Sequence, residues 1–327
     1  MDSHAISIAT LATHYNLDKK QLEAQYKNHL SDYPSWDQKE HADDWVLYPE
    51  NVGARLSLDE TALSKGELYT IITNKSAKGK KGALVAMIKG TKVEVVKAIL
   101  LKLPRRVRYK VKEITLDMAA NMEKIALLCF PSAVLVTDRF HVQKLAYDAL
   151  QEMRIKYRWE ALDQENEMIS MSKSHKIDYN PHSYENGDTR KQLLARSRYL
   201  LCKKESSWSK SQKHRAEILF REYPDIKKAY YLTQHLGLIY HQCKSKETAL
   251  TRLAHWYETV EKSGFKTFNT VLKSIQSNYY NIVQFFNNRS TNASAESFNA
   301  KIKSFRASLR GVRDVNFFIY RLTKIYA

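Results

Sequence analysis

Strand-forming patterns in this chain are confined to residues 54–138, and that confinement restricts its fold more than any other feature. Runs at 54–59, 68–73, 83–89, 111–117 and 133–138 read as strands. Short loops join the first three, which predicts an antiparallel meander. A helical run from Thr91 to Leu103 follows, with Val95, Val96, Ile99 and Leu100 as its apolar side. A second, Ala119 to Phe130, separates the last two strands. Three strands, a helix, a strand, a helix and a fifth strand predict an α/β fold with a mixed five-stranded sheet.

The rest reads as helical, in keeping with only nine glycines and six prolines. Residues 5–31 form two short helices around Asn16-Leu17-Asp18, a pattern met equally by a helix-turn-helix and by a plain packed pair. Residues 33–53 are aromatic, acidic and turn-rich and predict a linker. Between 139 and 289 helical periodicity marks Val142–Trp159, Thr189–Cys202, Ser209–Cys243 and Thr248–Glu261. The polar stretch 162–190, ending in Asn186-Gly187-Asp188, predicts a long loop. A helix beginning near Ser294 places Phe298, Ile302, Phe305 and Leu309 on one buried stripe and stops at Gly311. Val315 to Tyr326 closes the chain as a shorter apolar helix. Four segments result: 1–53, 54–141, 142–289 and 290–327.

Lysine and arginine total 53 against 35 acidic residues, a net charge of +18. Such an excess suits a polyanion, because each neutralised phosphate releases condensed counterions; a solvated basic surface is the plain alternative. Cys129, Cys202 and Cys243 fit no metal or disulfide spacing, which points to a reducing compartment. No signal peptide is seen, and apolar runs such as Ala98 to Leu103 are too short to cross a bilayer, so a soluble cytoplasmic protein is expected.

Against that basic background a few carboxylates stand out. Asp59 and Asp117 each end a strand-like run, and Glu296 opens the basic helix. Carboxylates at neighbouring strand tips can hold a pair of divalent cations, and in a basic protein such cations act on phosphodiesters. Each has a simpler reading. Asp59 would cap a turn before Thr61, leaving Glu60 as the ligand; Asp117 would cap the helix at Ala119; Glu296 would answer its helix dipole. Asp138 and His141 suit a hydrogen-bonded pair at the sheet edge, with a proton shuttle or a DNA contact as the alternatives. No cysteine or histidine pair completes a zinc site with them.

Cations form three clusters suited to phosphate contacts. Lys75, Lys78, Lys80 and Lys81 occupy a glycine-containing hairpin loop. Arg105, Arg106, Arg108, Lys110 and Lys112 precede the Asp117 strand. Lys301, Lys303, Arg306, Arg310 and Arg313 follow Glu296. Trp208 and Trp256 suit core packing better than base stacking.

This order of elements, with carboxylates on the first and fourth strands and a glutamate on a late helix, resembles the RNase H-like core of a DDE transposase. Val-Thr-Asp-Arg-Phe-His-Val at 136–142, Arg-Ser-Arg-Tyr-Leu-Leu at 196–201 and Asn-Arg-Ser-Thr-Asn-Ala-Ser-Ala-Glu at 288–296 resemble a branch of bacterial insertion-sequence transposases. The resemblance spans about residues 50 to 325. It implies Asp59, Asp117 and Glu296 as catalytic, metal-holding residues, with Asp138 and His141 as an accompanying D-x-x-H pair. It also implies a helical insertion before the last catalytic helix, Mg2+ (or Mn2+) as cofactor, and cleavage at element ends followed by strand transfer to target DNA. The same fold would serve a structure-selective nuclease, and a silent remnant would bind DNA as an inhibitor. A homo-oligomer on DNA, associated with the bacterial nucleoid, is implied. Relatives commonly begin with a cysteine-rich zinc-binding segment, whereas no cysteine precedes Cys129. End recognition is therefore expected from residues 5–31 or from a separate small protein, or to have been lost in a truncated copy.

Overall fold

The structure, a computed structural model, describes residues 1–63, 66–309 and 311–327. Its elements in chain order begin with helices α1 (Ile8–His14) and α2 (Lys19–Gln25) and strands β1 (Trp45–Leu47), β2 (Arg55–Ala62), β3 (Leu68–Asn74) and β4 (Leu84–Lys89). Helices α3 (Val93–Leu100) and α4 (Arg105–Arg108), strand β5 (Glu113–Leu116), helix α5 (Ala120–Cys129) and strand β6 (Val134–Thr137) follow. Then come α6 (Arg139–Ser174), α7 (Arg190–Arg196), α8 (Lys210–Glu222), α9 (Pro224–Gln242), α10 (Lys246–Ser263), α11 (Lys266–Ser277) and α12 (Tyr279–Asn288). The chain closes with α13 (Ala293–Ser308) and α14 (Val315–Tyr326). They form two compact units, Met1–Asp138 with Asn288–Ala327, and Arg139–Asn287.

In the first unit the sheet runs in the order β1-β4-β3-β2-β5-β6. The first four of these strands pair antiparallel with their neighbours, while β2 with β5 and β5 with β6 pair parallel. The mixed α/β sheet expected from the sequence is present, with six strands among the described residues rather than five. The additional strand, β1, lies in the stretch read as a linker, pairing Trp45 with Ile88 and Leu47 with Ala86. Three residues are too few to display a period of two, so pairing with β4 rather than local pattern creates it.

Because strand side chains alternate, neighbours such as Ile71 and Ile72 serve opposite faces. On one face Leu56, Leu58, Ile72, Ile114 and Leu116 meet Val96, Leu100, Met122 and Ile125 from α3 and α5. On the other, Val46, Ile71 and Met87 meet Phe298, Ile302 and Phe305 of α13 and Phe318, Ile319 and Leu322 of α14. Each such burial is worth roughly 1.5–3 kcal/mol, so α13 is bound to the sheet by its apolar stripe. The N-terminal segment packs on α14 through Ile8, Tyr26 and Tyr33 against Phe317 and Tyr320. Buried Arg321 donates to the Met1 and Ile6 carbonyls, both at 3.1 Å. In this segment α2 buries none of its residues.

The second unit is helical. Helix α6 packs against α7, α9 and α11, and α10 packs on α9, where Trp256 Nε1 donates to the Leu232 carbonyl at 2.9 Å. The loop expected over 162–190 is shorter, because α6 continues through Ser174. No glycine or proline interrupts 139–174, but the segment beyond Ala161 is polar on most sides, so helix propensity was present without an amphipathic stripe. The run Ser209–Cys243 is two helices, divided where Tyr223 precedes Pro224 at the first position of α9.

Asp188 fixes the turn between α6 and α7. Its carboxylate is fully buried, accepts from Arg196 Nη1, and accepts from Arg215 Nε at 2.8 Å. Burial alone would raise its pKa, yet the hydrogen bonds from Arg215 and Arg196 prevail and hold it below the ordinary value. Its contribution to stability is therefore complete above the unfolded pKa and is lost as pH falls through the lower folded one. Asp188→Asn should destabilise the helical unit by on the order of 3 kcal/mol, discounted for the half-exposed Arg196. A urea midpoint indistinguishable from wild type would contradict this.

Candidate active site

The site begins with strand register. Ser57 of β2 is paired with Thr115 of β5, so Asp59 and Asp117 each stand two residues further along adjacent parallel strands. Leu116 pairs with Thr137 of β6, and the Asp138 amide donates to the Leu116 carbonyl at 2.9 Å. Asp59, within β2, and Asp117 and Asp138, directly after β5 and β6, thus stand on neighbouring strand lines at the same end of the sheet. By alternation Asp59 shares the face of Ser57, the face that receives α13.

Helix α13 supplies the fourth carboxylate. Glu296 is exposed in its first turn, and Asn299, one turn later, donates from Nδ2 to Asp59 Oδ2 at 2.8 Å. The other Asp59 oxygen accepts from the Glu60 amide at 2.8 Å. Both Asp59 oxygens are therefore oriented. Asp117 Oδ1 accepts from the Ala119 amide at 2.9 Å, a turn just ahead of α5, whose own N-cap is Ala119 and carries no side-chain cap. Glu60 turns to the opposite face, near Asn121 of α5. Burial, then repulsion from Asp117, raises its pKa, with the Asn121 hydrogen bond opposing.

The start of α13 is held by a buried polar network that the sequence did not reveal. Glu113 accepts from the Asn288 side chain and from the Ser290 hydroxyl. Lys75 Nζ donates to Thr115 Oγ1 at 2.7 Å, to Glu113 Oε1 at 3.3 Å, and to Ser290. Burial pulls the Lys75 ammonium down despite Glu113, whereas hydrogen bonds from Ser290 and Asn288, with the Lys75 charge, overcome burial and hold the Glu113 carboxyl low. The surroundings therefore favour the carboxylate more than the ammonium. Further on, the Asn292 amide donates to Asp138 Oδ1 at 3.2 Å, and the Asn292 carbonyl accepts from Ala295 and Glu296 to open the helix.

Asp138 Oδ2 and both polar side-chain atoms of Asn292 are buried without a hydrogen-bond partner among the described residues. Such groups are costly unless something satisfies them. Carboxylate oxygens of Asp138 and Glu296 come within 4.8 Å of one another. Carboxylate oxygens are ligands that divalent cations accept, so these two side chains fit a metal ion. His141 stands in the first turn of α6 and belongs to the helical unit.

The expected DNA-contacting cations fare differently. Lys78, Lys80 and Lys81 are exposed on the β3–β4 connection, and Lys301 of α13 joins them by donating to the Gly79 carbonyl at 2.7 Å. Gly79 has φ +68°, and a Cβ there would stand 3.1 Å from Lys301 Nζ. Arg105 and Arg106 are exposed on α4, but Arg108 turns inward and donates to the Leu103 and Cys129 carbonyls at 3.2 and 3.1 Å. Lys303 and Arg313 are exposed, whereas Arg306 is half-buried beside the Ala62 carbonyl. Arg310 lies outside the described residues.

Signals for the missed residues were present. Asn299 follows Glu296 at helical i,i+3 spacing, and Glu113, Thr115 and Asp117 alternate along one strand face.

A family model described as transposase, of the ISL3-type DDE group, matches residues 56–322. The chain therefore belongs to this transposase family of insertion sequences, which implies DNA binding and DNA transposition. No curated protein and no solved structure matches it. Among the described residues no helix is long and apolar enough to cross a membrane.

Lys75→Met should leave the buried Glu113 carboxylate without its cation. The expected cost is about 3 kcal/mol, with faster amide exchange at Ser290 and Asn292. Unchanged exchange at both amides would show that the network does not restrain the start of α13.

Proposed function

We propose that the sheet with α13 is an RNase H-like catalytic core that cleaves DNA at insertion-sequence ends and transfers the freed strand to target DNA. The helical unit, in this reading, is an insertion within that core. The observation that carries the proposal is the register bringing Asp59 and Asp117 to one end of adjacent strands, combined with the Asn299–Asp59 bond one turn after Glu296.

Asp59, Asp117 and Glu296 would hold the metal, with Asp138 beside Glu296. Bound magnesium or manganese would neutralise developing charge on the phosphate and activate the attacking oxygen. The protein's own part is positional. Asn299 and the Glu60 amide fix the rotamer of Asp59, and the Ala119 amide orients Asp117. Lys78, Lys80, Lys81, Lys301 and Lys303 would hold the phosphate backbone nearby. In the first step a water oxygen bonds to phosphorus as the P–O3′ bond breaks, leaving a 3′-hydroxyl. In the second that hydroxyl attacks a target phosphodiester and displaces its 3′ oxygen, so the number of phosphodiester bonds is conserved. Two element ends would be processed together in a homo-oligomer.

Incubated with element-end DNA, target plasmid and Mg2+, wild type should give joined products. Asp59→Ala, Asp117→Ala and Glu296→Ala should each lower joining by at least about 10³-fold, on the scale of lost electrostatic stabilisation, while retaining duplex binding. Asn299→Ala should lower the rate less and weaken the apparent Mg2+ affinity. Cleavage without joining would identify a nuclease. Full joining by Asp117→Ala would remove that residue from the site.

A further inference from the structure

The helical unit carries a positive surface that none of the expected DNA contacts include. After α7 the chain passes through two short 3-10 turns, at 200–202 and 205–207, into α8. Along it Arg198, Lys203, Lys204, Lys210 and Lys213 are all exposed. Arg196 and Arg215, by contrast, are committed to buried Asp188. The one acid within 198–213, Glu205, accepts from the Tyr231 hydroxyl at 2.8 Å.

This segment is built rather than frayed. Trp208 Nε1 donates to the Leu200 carbonyl at 2.8 Å, and the Tyr230 hydroxyl donates to the Lys203 carbonyl at 2.8 Å. Gln151 of α6 donates to the Arg198 carbonyl at 3.0 Å and accepts from Arg154 Nε at 2.7 Å. Arg154 is only 4% exposed. Burial, then repulsion from exposed Arg158 and Arg198, pulls its guanidinium below the ordinary value. Like charges have therefore been gathered where they repel. Lys210 and Lys213 add to this, since a cation in the first turn of a helix opposes the dipole. An anionic partner at this surface would offset the repulsion between Arg198 and Arg154 and the opposition of Lys210 and Lys213 to the helix dipole. Tyr199 is 69% exposed beside the Arg198 guanidinium, and its hydroxyl is a suitable donor to a phosphate oxygen.

We infer that the surface formed by Arg198, Tyr199, Lys203, Lys204, Lys210 and Lys213 binds the phosphodiester backbone of duplex DNA, separately from the catalytic carboxylates. The inference rests on the transposase reading for the identity of the polyanion. It adds the place where the helical unit takes hold of it.

The test is anisotropy of a labelled duplex of about 30 base pairs, titrated with full-length protein over a series of salt concentrations. The variant Arg198→Gln/Lys203→Gln/Lys204→Gln/Lys210→Gln is compared with Lys228→Gln/Lys244→Gln/Lys266→Gln/Lys273→Gln. The second set removes the same charge from exposed lysines elsewhere in the same unit. Circular dichroism confirms that both fold. The first variant should bind at least tenfold more weakly. Its log–log salt slope should be shallower by about 2 to 4, because each neutralised phosphate accounts for roughly 0.9 of that slope. The second should stay within threefold of wild type. Equal losses in both variants would overturn the inference while leaving the transposase reading intact. Absence of duplex binding by wild type would overturn both.

Discussion

The candidate active site depends on one constraint: the chain must re-enter the sheet unit at residues 288–292 in a fixed position after about 150 residues spent elsewhere. Glu113 provides much of that fixation. It is a carboxylate on a central parallel strand, buried, and surrounded by donors from Asn288, Ser290 and Lys75. A lone buried charge would be severely penalised, but a charge with three donors is a directional anchor. Apolar packing of Phe298, Ile302 and Phe305 holds α13 against the sheet, yet apolar contacts tolerate sliding along the helix axis. The polar network fixes the point at which the helix starts, and so the height at which Glu296 and Asn299 stand relative to Asp59.

Much of this architecture was legible, because the signals were local. Strand-like runs between short loops and helical segments marked the five longer strands, and the Phe298–Ile302–Phe305 stripe marked α13. What failed to show was whatever tertiary contact creates. Trp45–Leu47 becomes a strand only because β4 presents an unpaired edge. The later part of α6 is helical by propensity while lacking an apolar stripe to announce it. Pro224 divides one periodic run into two helices whose faces happen to continue the pattern.

The candidate site was legible to a similar degree. Asp117 and Glu296 were visible because each stands near the boundary of an element where little else explains an acid, whereas Asp59, read as the end of its strand, lies within β2, which continues to Ala62 through its pairing with β3. Glu113 was hidden for the opposite reason: one acid within a β-rich run reads as the solvent side of a strand. Asp138 was read as a structural residue at the sheet edge, and it does hold the Asn292 amide. Its second oxygen is nevertheless buried and unsatisfied close to Glu296, which a purely structural role leaves unexplained. Arg108 shows the converse error. Its place among other cations suggested phosphate contact, but its guanidinium closes the carbonyl end of α5.

The distribution of charge follows the same logic at larger scale. A net charge of +18 would be poorly used if spread evenly, since exposed charges more than a Debye length apart scarcely act together. Here some cations are spent on the fold, as Arg196 and Arg215 are on Asp188, and Arg108 and Arg321 are on backbone carbonyls. Others are held close to like charges, where they weaken the free protein. The carboxylates mirror them: Asp117 repels Glu60, and Asp138 lies close to Glu296. Each arrangement is unfavourable alone and, on the proposed function, becomes favourable when the opposite charge arrives, a cation for the acids and a phosphate backbone for the bases. Sites that must bind charge strongly are therefore the places where the isolated fold is least content, and that discontent is what separates them from a merely solvated surface.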